Sequence, residues 1–361
     1  MQIDFANLQY QYQLYKTDID TAIHKVLDKS NYILGEEVKE LEENLQKFTG
    51  VKHAITCSSG TDALILALLA LNIQPEDEII TTPFTFIATA ETIALLKAKP
   101  VFVDIDSKTY NIDPSKIETA ITSKTKAIMP VSLFGQPADI DAIQAIANKY
   151  KLKMIIDGAQ SFGATYKGKT DSNLGDISTT SFFPTKPLGC FGDGGAVFTN
   201  NDELAVKLRN LRVHGQNKRY YHKYIGIGGR MDTLQCAIVN VKLKYYRNDL
   251  KLRQKVAKRY TASLKNKDLI VPYINKNVTS SFAQYSIRVK NRDILQSLLK
   301  EVGIPTFVYY PISLHLQECF KPFGYQIGDF PIAEEVSDDI VSLPMNPYIT
   351  AKQNEYISNY F

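Results

Sequence analysis

The sequence predicts an α/β fold: a large domain built on a mostly parallel seven-stranded sheet, followed by a smaller C-terminal α+β unit. Three observations predict it. Short β-branched runs alternate with helical patterns over residues 51–197, as they do when helices cover a parallel sheet. A long helical pattern starts near Asp232 and leads out of that region. The chain has 361 residues, 44% of them hydrophobic and 22% charged, which suits a globular protein with one main core and a smaller companion.

The elements follow in order. Residues 17–29 and 36–48 read as helices, broken by Tyr32-Ile33-Leu34-Gly35. Residues 53–57, 78–82, 100–104, 127–131, 154–157, 178–183 and 196–199 read as strands. Residues 61–71, 87–96, 114–121 and 139–150 read as helices, several opening on Thr, Asp or Pro as helix starts prefer. Leu234, Ala237, Val241 and Tyr245 share one face of the long helix. Beyond it, 269–273 and 281–289 read as strands and 293–302 as a helix. The expected division is 1–240 for the large domain and 241–361 for the smaller one.

A formal charge of +4 over this length does not announce nucleic acid as a partner. The basic run 242–259, interleaved with Tyr245 and Tyr246, follows helical spacing and reads as the wet face of a connecting helix rather than a base-stacking surface. Cys57, Cys190, Cys236 and Cys319 are far apart, which favours reduced, buried thiols over a disulfide framework or zinc site. The five histidines lack metal-ligand spacing, so no metal is expected. The N-terminus lacks signal-peptide features and no apolar stretch approaches the roughly 20 residues of a membrane span. A soluble, cytoplasmic protein is the expectation.

Three segments carry chemistry. Cys57-Ser58-Ser59-Gly60-Thr61-Asp62 joins a strand to a helix, where free N–H groups and small residues make a phosphate cradle; alone, it is equally an ordinary N-cap. Asp157 closes an apolar strand, the place where open α/β sheets put ligands. Lys186 leaves another strand between Pro184 and Pro187, ahead of the glycine cluster 192–195, and is therefore a positioned lysine. Together these are what pyridoxal phosphate (PLP) requires: a phosphate site, an anion for the pyridinium nitrogen and an amine for a Schiff base.

The ordered motifs SSGTDAL, TTPFTFIATAETI, FVDID, IIDGAQSFGA, TSFFPTKPLGCFGDGGAVFTN and GGRMDTLQCAIV resemble the DegT/DnrJ/EryC1/StrS family of nucleotide-sugar aminotransferases, which have the aspartate aminotransferase-like fold (PLP fold type I). The resemblance implies that Lys186 is the Schiff-base lysine and proton shuttle, and Asp157 the pyridinium partner. It implies that Gln160 meets the ring's phenolic oxygen, that Ser59, Gly60, Thr61 and Ser181 hold the phosphate, and that Phe86 stacks on the ring. It also implies a homodimer with shared active sites, in which the loop 228–230 reaches the neighbour's cofactor and Arg230 the substrate. Relatives commonly carry Asn where this chain has Gly228, so that contact falls to backbone N–H groups. Tyr309, Tyr310 and His315 lie where relatives line the sugar pocket.

The implied reaction moves the amino group of L-glutamate onto a nucleotide-ketosugar, for cell-surface polysaccharide or O-antigen biosynthesis. The stretches 31–35, 130–139 and 180–189 most resemble the subgroup that aminates C3 of UDP-linked 3-keto-2-acetamido sugars, the uronic acid included. Amination at C4 of a UDP- or dTDP-linked 4-keto-6-deoxy sugar is the alternative, as is a PLP-binding regulator. Dehydratase relatives replace the lysine with histidine, and this chain retains Lys186.

Overall fold

The computed structural model describes residues 2–361. Helices α1 (Leu8–Lys29) and α2 (Glu36–Thr49) precede the alternation of β1 (His53–Cys57), α3 (Gly60–Ala70), β2 (Glu78–Thr81), α4 (Ala88–Leu95), β3 (Lys99–Phe102), β4 (Thr125–Ile128), α5 (Ile140–Tyr150), β5 (Lys153–Asp157), β6 (Ile177–Ser181) and β7 (Gly195–Thr199). The seven strands form one sheet in the order β1-β7-β6-β5-β4-β2-β3. Only β7 runs antiparallel to its neighbours. The carboxyl ends of β1, β2, β4, β5 and β6 therefore share one edge, and β7 begins there, so the loops that carry the chemical motifs converge.

Helices cover both faces because both faces of the strands are apolar. Ile55, Ile79, Ile155 and Val197 pack under α3 residues such as Leu64 and Leu68. On the other face, Ala54, Ala196 and Phe198 meet Leu41 and Leu45 of α2 and Val239 of α7 (Thr233–Leu264). Each such fully buried Leu, Ile or Phe contributes about 1.5–3 kcal/mol of burial free energy.

The 32-residue α7 runs unbroken across positions 240 and 241. Its first half belongs to the sheet core, whereas Val256, Tyr260 and Leu264 enter a second core with β8 (Tyr285–Arg288), α8 (Arg292–Glu301), β9 (Ile340–Leu343) and α10 (Ala351–Ser358). Helix α9 (Pro331–Asp339) closes a third cluster that joins Phe84 and Phe102 to Phe320 and Phe330.

The seven sheet strands lie within three residues of their predicted bounds. Three expectations need correction. Residues 114–121 form two 3₁₀ turns instead of a helix. Asp113 caps Ser115 through its backbone N–H and its hydroxyl, and Thr119 bonds back to the Lys116 carbonyl, local bonds that compete with helix. In the predicted strand 269–273 only Ile270 makes a bridge, to Arg288, because Pro272 has no N–H to give. The basic face of α7 is not uniformly wet: Lys242 and Arg253 are buried, donating to the carbonyls of Gly189 and of Phe282 and Met345. Cys319 is exposed, while the other three thiols are buried.

Candidate active site

At the carboxyl edge of the sheet lies a cavity of about 630 Å³, whose walls include Ser59, Gly60, Thr61, Phe86, Asp157, Gln160, Ser181, Lys186, Tyr309 and Tyr310. The chain thus brings together residues spread over 250 positions of sequence.

The cradle is the first turn of α3. Ser59 is its N-cap, accepting from the Asp62 N–H at 3.0 Å, and the N–H groups of Gly60 and Thr61 have no intrahelical carbonyl to meet. A Cβ on Gly60 would lie 2.7 Å from the Ser181 Cβ, and one on Gly195 would lie 2.4 Å from the Ser59 carbonyl oxygen. Glycine at both places lets three strand ends approach closely enough to make an anion-sized recess. The Ser181 hydroxyl accepts from the Phe183 N–H at 3.2 Å, so its own hydrogen remains to be given.

Asp157 ends β5 and is buried. Its Oδ2 accepts from the Thr89 hydroxyl at 2.7 Å and its Oδ1 from the Ala159 N–H at 3.2 Å. Burial pushes the carboxyl above its ordinary range, against those two donors and the Lys186 ammonium. Burial also pulls Lys186 below the usual lysine range, opposed by Asp157. The lysine turn is fixed from every side. The Lys186 N–H donates to the Phe183 carbonyl, a Cβ on Gly189 would lie 2.5 Å from the Pro184 carbonyl oxygen, and Lys242 grips the Gly189 carbonyl. Near the cavity mouth Phe86 is 53% exposed, an aromatic face without a partner over most of its area.

Gln160 is locked: its Oε1 accepts from the Phe134 N–H at 2.7 Å and its Nε2 donates to the Tyr310 hydroxyl at 3.0 Å, leaving one amide hydrogen. Burial, with Asp157 adding to it, raises the Tyr310 phenol.

Three expected residues do not line this cavity. His315 is 1% exposed, wedged against Phe330 and bonded through Nε2 to Glu334 at 3.0 Å. Phe330 and Glu334 hold it away from this cavity, where the expectation had placed it beside Tyr309 and Tyr310. Gly228 and Arg230 lie on a loop outside the cavity walls. A Cβ on Gly228 would fall 2.9 Å from the His214 ring, so the imidazole occupies the space that an Asn side chain would need. The arginine ion pairs among the described residues involve Arg209, Arg212, Arg288 and Arg292, which leaves Arg230 without a carboxylate.

Sequence reasoning missed Thr89, Asp171 and Gln284. Thr89 lies in the quoted motif TTPFTFIATAETI, in the first turn of α4, and its hydroxyl meets that of Thr85, in the loop before the helix, at 3.0 Å; the sequence held no periodic signal for that pair. Asp171 is buried under the Asp157–Ser161 loop, bonded to the Ser132 and Ser161 hydroxyls.

The model of the DegT/DnrJ/EryC1/StrS aminotransferase family matches residues 13–361. The chain belongs to this family. It is 51% identical over 347 residues to the UDP-2-acetamido-2-deoxy-3-oxo-D-glucuronate aminotransferase of Pseudomonas aeruginosa, covering 96% of each chain. It is 47% identical to the pleiotropic regulatory protein of Geobacillus stearothermophilus, covering 99% of this chain and 97% of that one. Among solved structures, ntda from Bacillus subtilis with bound cofactor PMP superposes with a TM-score of 0.91 at 32% identity, covering 99% of this chain and 84% of that one. The fold is the family's, and the enzyme is a PLP-dependent sugar aminotransferase. The recess at α3, the carboxylate at the sheet edge and the rigidly held amine fit the cofactor's phosphate, ring nitrogen and aldehyde. No helix among the described residues is long and apolar enough to cross a membrane.

Proposed function

We propose that this enzyme transfers the amino group of L-glutamate to C3 of a UDP-linked 2-acetamido-3-keto sugar, with the uronic acid first, in the biosynthesis of a cell-surface polysaccharide such as O-antigen. The observation that carries the transaminase reading is the convergence of Lys186, Asp157 and the α3 recess on one cavity. The 51% identity to a 3-oxo-glucuronate aminotransferase supports the substrate. PLP supplies an electron sink and carries nitrogen between the two substrates. Lys186 Nζ anchors the cofactor and, once released, takes and returns the substrate's proton. Asp157 keeps the ring nitrogen protonated. Ser59, Gly60, Thr61 and Ser181 hold the phosphate, Phe86 covers the ring, Gln160 gives its remaining hydrogen to the phenolic oxygen, and Tyr309 and Tyr310 contact the sugar.

The protein acts as a homodimer in which loop 228–230 faces the partner's cavity. Arg230, without a carboxylate partner among the described residues, meets a phosphate or sugar carboxylate there as a planar donor. Free cysteines support a cytoplasmic setting. The two cores on α7 support a division into 1–240 and 241–361, with the helix as their common spine.

Purified enzyme offered glutamate with 3-keto and 4-keto nucleotide sugars, read by mass spectrometry, tests the function. Preferential amination of a 4-keto sugar overturns C3. Bound cofactor with no amination of any sugar favours regulation, the role the Geobacillus relative's name records.

A further inference from the structure

The polar side chains of the cavity include Gln284, which neither the assigned cofactor contacts nor a hydrogen bond of the fold uses. Gln284 lines the wall from the position just before β8. Its carbonyl oxygen is sealed from solvent with no donor among the described residues, whereas its amide nitrogen is not sealed and makes no hydrogen bond among them. Buried polar atoms are seldom left unpaired.

The backbone around Gln284 is fixed. The Ser281 N–H donates to the Gly135 carbonyl at 3.0 Å, the Ala283 N–H to the Phe134 carbonyl at 3.1 Å, and the Ser281 hydroxyl to the Gln160 carbonyl at 2.9 Å. These bonds hold Gln284 on the β4 side of Asp157, whereas the α3 recess lies on the β6 and β7 side. A molecule with its phosphate in the recess and its ring nitrogen at Asp157 spends its phenolic oxygen on Gln160 and its aldehyde on Lys186. It has no polar atom left for Gln284.

We propose that Gln284 is a specificity-determining residue whose Nε2 donates to an oxygen of the sugar, the carboxylate in the case of the uronate. This rests on the substrate reading above. The test uses purified holoenzyme, the 3-keto uronate, its neutral counterpart and glutamate. Gln284→Ala should raise KM for the uronate by about 10- to 150-fold, the range for a lost hydrogen bond to a charged group. The glutamate half-reaction, followed by cofactor absorbance, should fall much less than the uronate half-reaction, since the proposed contact is to the sugar. Gln284→Glu, of nearly the same shape, should penalise the uronate more than the neutral sugar through like-charge repulsion. An unchanged uronate KM, equal losses in both half-reactions, or failure of both variants to retain cofactor would each overturn the proposal. Wild-type enzyme inactive on both 3-keto sugars would instead overturn the substrate reading.

Discussion

Replacing Thr89 with Val keeps the shape of the side chain and deletes the hydroxyl that donates to Asp157 Oδ2 at 2.7 Å. Asp157 is buried, burial pushes its carboxyl up, and Thr89 is the strongest of the influences pulling it back. Thr85 orients that hydroxyl from 3.0 Å away. A hydrogen bond to a charged group contributes about 1.5–3 kcal/mol, so the ionised carboxylate loses a factor of about 10–150 relative to its protonated form. The cofactor's ring nitrogen pairs with the ionised form. A carboxyl moved further up is protonated at higher pH, so the acid limb of cofactor affinity shifts toward neutrality. Absorbance titrations of the apoenzyme with PLP across pH measure this limb directly. A limb that stays in place in a folded Thr89→Val protein, or a loss of affinity equal at every pH, would refute the view that Thr89 holds Asp157 ionised.

Lys186→Ala should retain noncovalent cofactor but fall below about a hundredth of the wild-type rate, since acid–base help alone is about 10²- to 10⁴-fold; steady-state assays with glutamate check it. Gly60→Ala would put a Cβ 2.7 Å from the Ser181 Cβ, and should weaken PLP binding about tenfold or more while hardly changing that of dephosphorylated pyridoxal, compared by the same titration. Mixing inactive Lys186→Ala with an inactive Arg230→Ala variant should restore activity in heterodimers; no recovery after confirmed subunit exchange would count against shared sites. Asp171 is pushed up to about 7 from 3.8, chiefly by burial. A folded-state value above the unfolded one stabilises at acid pH and loses that contribution as pH rises through it. Asp171→Asn should therefore match wild type in thermal melts below the unfolded value and exceed it above neutrality, by at most about 4 kcal/mol from a displacement of about three pH units.

The sheet was legible because a parallel strand buried on both faces must be a continuous apolar run, as Met154-Ile155-Ile156 is, and because such runs end at the residues that do chemistry. Asp157, Lys186 and the 58–62 turn were legible for that reason. His315 was not: a histidine that belongs to an aromatic core and one that reaches a ligand look alike until Phe330 and Glu334 are placed around it. The inward Lys242 and Arg253 were hidden likewise, because helical spacing names a face but not what lies against it, here the lysine turn and the start of the second core.

The two halves of the cavity differ in how they are specified, and this has a consequence for function. The half that holds the cofactor comes from loops at strand ends of the first 200 residues, each forced into place by a sheet hydrogen bond or a glycine contact. The wall that carries the proposed sugar contacts comes from Gln284 and from Val308, Tyr309 and Tyr310, on segments after α7. Those segments are tied to the loops after β4 and β5 by Ser281 to Gly135, Ala283 to Phe134, Ser281 to Gln160 and Gln160 to Tyr310. The proposed sugar contacts thus lie on a wall apart from Lys186 and Asp157, and a test of sugar specificity exchanges Gln284 and Tyr309 rather than residues of the motifs.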